Sequence, residues 1–95
     1  MLFVRYLRDA IRAGAITSTV RIWQRQHVTA GKRYRLDDGF VEVESVTQIS
    51  VEEITPKLAL ECGFASPEDL LKVAKHGRGE SVYYIRFRYI PPDEA

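Results

Sequence analysis

The chain reads as an α+β domain: a small, strongly curved β-sheet or barrel with helices at its side. Three observations carry this. Apolar side chains recur at helical steps over the first dozen residues, and Thr55-Pro56 and Ser66-Pro67 announce two more short helices. Two long stretches, about 40–51 and 80–90, alternate as strands do. The first of them changes phase part-way, as a strand that bends around a barrel must. With 95 residues there is room for a single domain over 1–95, with its core at about 3–90.

In the first helix Phe3, Val4, Leu7, Ala10 and Ile11 form the apolar stripe, and Arg5, Arg8 and Arg12 form a basic ridge opposite. Gly14 is the natural stop, since glycine takes the left-handed conformation that ends helices. An extended segment follows and then a polar loop, 24–32. Tyr34-Arg35-Leu36 leads into Asp38-Gly39, read as the tight pair of a hairpin. Along 40–51, Val41 and Val43 share one face and Glu42 and Glu44 the other. Val46 breaks the phase and Ile49 and Val51 restore it, which places a bulge or bend near Ser45.

Thr55 as cap with Pro56 at the first helical position starts the second helix, which runs to about Cys62 and stops at Gly63. Ser66-Pro67-Glu68-Asp69 starts the third, with Leu70, Leu71, Val73 and Ala74 as its apolar residues. His76-Gly77-Arg78-Gly79 closes it as a plain loop. In the last strand Tyr83, Ile85, Phe87 and Tyr89 form the core face. Val82, Tyr84, Arg86 and Arg88 form the wet face. Pro91-Pro92 ends the sheet and leaves a loose tail.

Composition narrows the function classes. A lone cysteine, Cys62, allows neither an internal disulfide nor a cysteine metal cluster, and a reducing, cytoplasmic setting fits. No apolar run approaches the roughly 20 residues of a membrane span. The early Arg5, Arg8, Asp9 and Arg12 do not suit a signal peptide. His27 and His76 stand far apart without a metal-ligand motif, so neither a metal nor a cofactor is expected. The net charge of +1 conceals an asymmetry. Residues 1–35 hold eight basic side chains and one acidic, whereas 36–70 hold nine acidic and one basic. A basic third points to an anionic partner if it forms one face; the two blocks could equally neutralise each other across the fold.

The densest chemistry lies in 14–23. Thr17, Thr19 and Arg21 fall in one phase of an extended segment and would present two hydroxyls and a guanidinium together, with Trp23 next in line. Such a row suits a phosphate, carboxylate or base edge, but also an ordinary strand with a solvated arginine. Arg25 and His27 in the following loop, and Tyr84 beside Arg86 on the last strand, are the other residues of a type that stacks on bases or neutralises phosphate. Arg5, Lys32 and Arg33 would add sequence-independent attraction.

The stretch Ala13-Gly14-Ala15-Ile16-Thr17-Ser18-Thr19-Val20-Arg21 resembles the signature of ASCH domains, small relatives of the PUA domain. Gly31 before Tyr34, Leu60-Glu61-Cys62-Gly63-Phe64 and the aromatic last strand support the likeness over about residues 3–90. The resemblance implies a PUA-like barrel with flanking helices and a cleft lined by the signature, open to RNA or a nucleoside. Some small members resembling this chain are amidohydrolases that deacetylate N4-acetylcytidine with a lysine, a threonine and a glutamate. The matching threonine is Thr19 and the nearest glutamate Glu61, but the lysine position holds Ile16. Isoleucine can neither take a proton nor stabilise an oxyanion; Lys32, or Glu61 as base for a water, is the substitute the sequence offers, though nothing in it places either near Thr19. The reading is therefore a binding domain for RNA or a nucleoside, with an impaired amidohydrolase as the rival and a protein-interaction domain as a third option.

Overall fold

A computed structural model describes residues 3–75 and 79–94. The first helix, α1 (Arg5–Arg12), buries Leu7 and Ile11, and Gly14 follows its C-cap at φ 79°. Strands β1 (Ser18–Trp23), β2 (Arg33–Leu36) and β3 (Gly39–Ile49) come next, then helices α2 (Pro56–Glu61) and α3 (Pro67–Ala74), and last β4 (Ser81–Ile90). The four strands form one antiparallel sheet in the order β1-β4-β3-β2, curled into a half-barrel.

The curl has a local cause. The register between β3 and β4 shifts between Val43 and Ser45, so one extra residue bends β3 where the apolar phase breaks in the sequence. Both helix starts are capped as their residues require: Thr55 Oγ1 accepts from Leu58 N at 3.1 Å, and Ser66 Oγ from Asp69 N at 3.2 Å. Gly63, at φ 92°, ends α2.

Several expectations change in the structure. Leu36 pairs with Gly39, so the hairpin turns on Asp37-Asp38, one residue before Asp38-Gly39. Asp37 takes the left-handed backbone at φ 52°, which aspartate tolerates because its short carboxylate can bond locally. Gly39 is needed in the strand instead, where a Cβ would overlap the Tyr89 hydroxyl and the Ile90 carbonyl. Strand β3 ends at Ile49, not Val51. Ser50 and Glu53 form a reciprocal cap on a 3-10 turn, Val51–Glu53, that draws the chain out of the sheet. The expected tail also winds into a 3-10 turn, Pro92–Glu94. The proposed loop at 76–78 lies outside the described residues.

The core has two parts. The larger lies under α1, α2 and α3 and joins Phe3, Leu7 and Ile11 to Val20, Ile22, Ala59, Phe64, Leu70, Val82 and Phe87, among others. The smaller fills the inner face of the curl with Trp23, Val28, Val43, Tyr83 and Ile85. Strand β4 serves both, which corrects its expected two faces. Val82, placed on the wet face by alternation, is buried with the helices, while Arg86 and Arg88 of that phase stay exposed. Ile90, at the far end of the same phase, is buried as well.

Candidate functional site

Strand β1 is an edge strand, yet all six of its residues are buried. Covering an edge is one way a fold prevents unwanted strand pairing; here α3 packs beside β1, Phe3 ahead of α1 lies against Arg21, and Ile22 bridges Lys75 just past α3. The consequence for the site is large. Thr19 and Arg21, expected on an open face, are each only 7% exposed. Thr17 precedes the strand and stays exposed, while its carbonyl accepts from Phe87 N at 2.9 Å.

The Arg21 side chain is held from two sides. Its Nε donates to Thr19 Oγ1 at 3.4 Å, and its guanidinium carbon sits 4.9 Å from the centre of the Phe3 ring. Phe3 itself packs on Phe87, ring centres 5.3 Å apart. Burial pushes the Arg21 pKa down to about 10, because loss of water disfavours the cation. At neutral pH the group remains charged. Beside it opens a cavity of about 180 Å³, lined by Phe3, Val4, Leu7, Thr19, Val20, Arg21, Phe64, Val73 and Ala74. This is an apolar chamber with a hydroxyl and a fixed guanidinium in its wall.

A separate depression of about 260 Å³ brings together Ala15, Thr17, Ser18, Glu61, Tyr84 and Arg86. Pairing of Ser18 with Arg86 and of Val20 with Tyr84 explains this meeting, since those residues share the face of the sheet nearest the end of α2. Ser18 Oγ lies 3.5 Å from the buried Cys62 Sγ, whose pKa is raised, chiefly by burial. Glu61 thus joins Thr17 rather than Thr19. The threonine and glutamate matched by resemblance line different pockets, and Lys32 lines neither. Ile16 is buried, with its side chain close to Gly63.

The remaining expected residues are scattered. Trp23 is 5% exposed; His27 stacks on it with ring centres 4.6 Å apart and planes 7° apart, and Tyr83 packs at 5.7 Å. Arg5, Arg25 and Lys32 are exposed. Arg33 and Arg88 both bind Glu42, and Arg8 and Arg12 both bind Asp37 across the fold. Arg12 also pairs with Asp9. Three basic residues of the first block, Arg8, Arg12 and Arg33, are thus paired with two carboxylates of the second, Asp37 and Glu42.

Thr19 and Arg21 were expected site residues, but the apolar walls of the cavity were not. Phe3, Leu7 and Val73 follow the ordinary core pattern, so nothing in sequence separates a cavity wall from a filled core. Tyr6 did carry a signal: it interrupts the polar side of α1 with an aromatic ring and is 65% exposed. Among the described residues no group of His, Cys, Asp and Glu could hold a metal ion, and no helix is long and apolar enough to cross a membrane. Compared with protein-family models, curated proteins and solved structures, the chain matches none.

Proposed function

We propose that this domain binds a nucleobase, presented by RNA or a nucleoside, in the cavity between α1, β1 and α3. The observation that carries the reading is the buried Arg21 guanidinium in the wall of an otherwise apolar chamber. A flat ring with polar edges needs that combination: apolar surfaces for its faces, and a few placed donors for its carbonyl and ring-nitrogen acceptors. Arginine offers a rigid fork of N–H donors suited to paired acceptors, and shielding from water strengthens each bond it makes. Thr19 Oγ1, already accepting from Arg21, keeps its own proton to donate. The resemblance to ASCH domains agrees with this class of ligand.

Hydrolysis by a Thr19–Glu61 pair would need both groups at one centre, whereas they line separate pockets. Binding without turnover is the reading that the geometry favours.

The test is a calorimetric titration of 5′-mononucleotides and short single-stranded RNA into the natural protein and into Arg21→Met. Methionine keeps much of the apolar stem and removes the charged donors. Loss of charge-assisted hydrogen bonds worth about 1.5–3 kcal/mol should weaken binding roughly 10- to 100-fold. Replacing a buried charge by a similar apolar volume is often neutral for stability, so the melting temperature should change little. Equal affinity in the two proteins, or no binding by the natural one, would remove the proposal.

A further inference from the structure

The cavity does not end at its own walls. Phe64 and Val73 also line an outer basin of about 440 Å³, together with Tyr6, Gly63, Ala65, Asp69 and Lys72. The two spaces therefore adjoin, with Phe64 and Val73 lining both, and together make a two-part groove. By itself the 180 Å³ cavity is smaller than the roughly 300–1,000 Å³ of pockets that enclose a whole small ligand. With the basin added, the groove enters that range.

We propose that the groove takes single-stranded nucleic acid of two or more nucleotides, with one base in the Arg21 cavity and its neighbour in the outer basin. This rests on the base-binding reading of the cavity and extends it. The basin carries the chemistry that a second nucleotide needs. Tyr6 is 65% exposed and braced edge-on by Phe64, ring centres 6.4 Å apart and planes at 87°. That contact steadies the ring while leaving most of it open, as a stacking platform requires. Lys72, exposed on α3, makes no ion pair among the described residues and lines the basin beside Val73, which the cavity shares. Its ammonium neutralises the phosphate joining the two nucleotides. Asp69, one turn earlier on α3, is an acceptor for a ribose hydroxyl or an exocyclic amine and sets the side on which phosphate is tolerated. Arg5, next to Tyr6 and exposed, adds charge for the strand beyond.

The experiment measures affinity for a 5′-mononucleotide, a dinucleotide and a tetranucleotide at several salt concentrations. The proteins are the natural chain, Tyr6→Ala, Lys72→Ala and Arg21→Met. The natural protein should bind the dinucleotide about 5- to 150-fold more tightly than the mononucleotide, the gain of one stacked base. Tyr6→Ala should erase that gain and leave the mononucleotide unchanged; the ring is exposed and outside the core, and circular dichroism checks the fold. Lys72→Ala should lower the slope of log affinity against log salt by about 0.7 for the dinucleotide. Equal binding of mono- and dinucleotide, or a dinucleotide gain that survives Tyr6→Ala, overturns the second subsite while leaving the cavity reading standing. Mononucleotide binding that ignores Arg21→Met, or no nucleotide binding at all, overturns the cavity reading and this one with it.

Discussion

Gly63 shows how much a single hydrogen atom in place of a side chain can hold together. Its backbone is left-handed at φ 92°, and a Cβ would meet Leu7 Cδ2 at 2.5 Å and Ile16 Cδ1 at 2.7 Å. The residue ends α2 and admits α1 to close contact at the same point. Gly14 shares the backbone conformation, at φ 79°, but has open space where its Cβ would be. The pair separates two costs. Gly14→Ala should lose only about 1–2 kcal/mol for the left-handed backbone. Gly63→Ala should lose that and about 1–3 kcal/mol more, because Leu7 and Ile16 must shift. Urea unfolding of both variants measures the difference, and equal losses would mean that the α1–α2 contact adapts freely. Both glycines were legible in sequence as helix stops. That one of them is also a packing contact was not, because its neighbour Leu7 lies far away in the chain.

Among the elements, β3 depends on cross-strand charge. Glu42 accepts from Arg33 on β2 and from Arg88 on β4, so one carboxylate ties three strands. The hydrogen bond from Arg33, then that from Arg88, holds the Glu42 carboxyl below its ordinary value of 4.5. The sign follows from linkage. A carboxyl with a lower pKa in the folded state stabilises fully above its unfolded pKa, and that stabilisation is lost as pH falls through the folded value. Glu42→Gln should therefore melt below the natural protein at neutral pH, and the gap should begin to shrink near pH 4.5 and close as pH falls through the lower folded value. A gap of constant size from pH 7 to pH 3 would show that the carboxylate charge is immaterial. Exposed pairs are weak and screened, so the whole effect should shrink in high salt. The bulge in β3 could be read from the phase break at Val46, whereas the pairing of Glu42 could not. Alternation says which residues share a face of one strand; the register says which strand lies opposite.

For the molecule as a whole, β4 makes the two cores interdependent. Val82 and Phe87 belong to the core beneath the helices, and Tyr83 and Ile85 to the one around Trp23. Neighbouring residues of one strand cannot leave one core without disturbing the other. Trp23 fluorescence, which senses the smaller core, and far-ultraviolet circular dichroism, which senses the helices on the larger, should thus give the same thermal midpoint. Separate midpoints would show two units that open independently.

The amino-acid order alone determined what depends on near neighbours. Helix caps at Thr55 and Ser66, stops at Gly14 and Gly63, the bend near Ser45 and the long final strand all rest on interactions within a few residues. An α+β domain with a curled sheet follows from them. Tertiary structure decided which side chains meet. It buried Thr19 and Arg21 by laying α3 and the Phe3 ring against an edge strand, and it drew Glu61 toward Thr17. It also paired Arg8, Arg12 and Arg33 of the basic first third with Asp37 and Glu42. Burial and charge pairing arise between segments distant in sequence, and their free energy depends on removing water from both partners at once. No pattern along one segment contains that information.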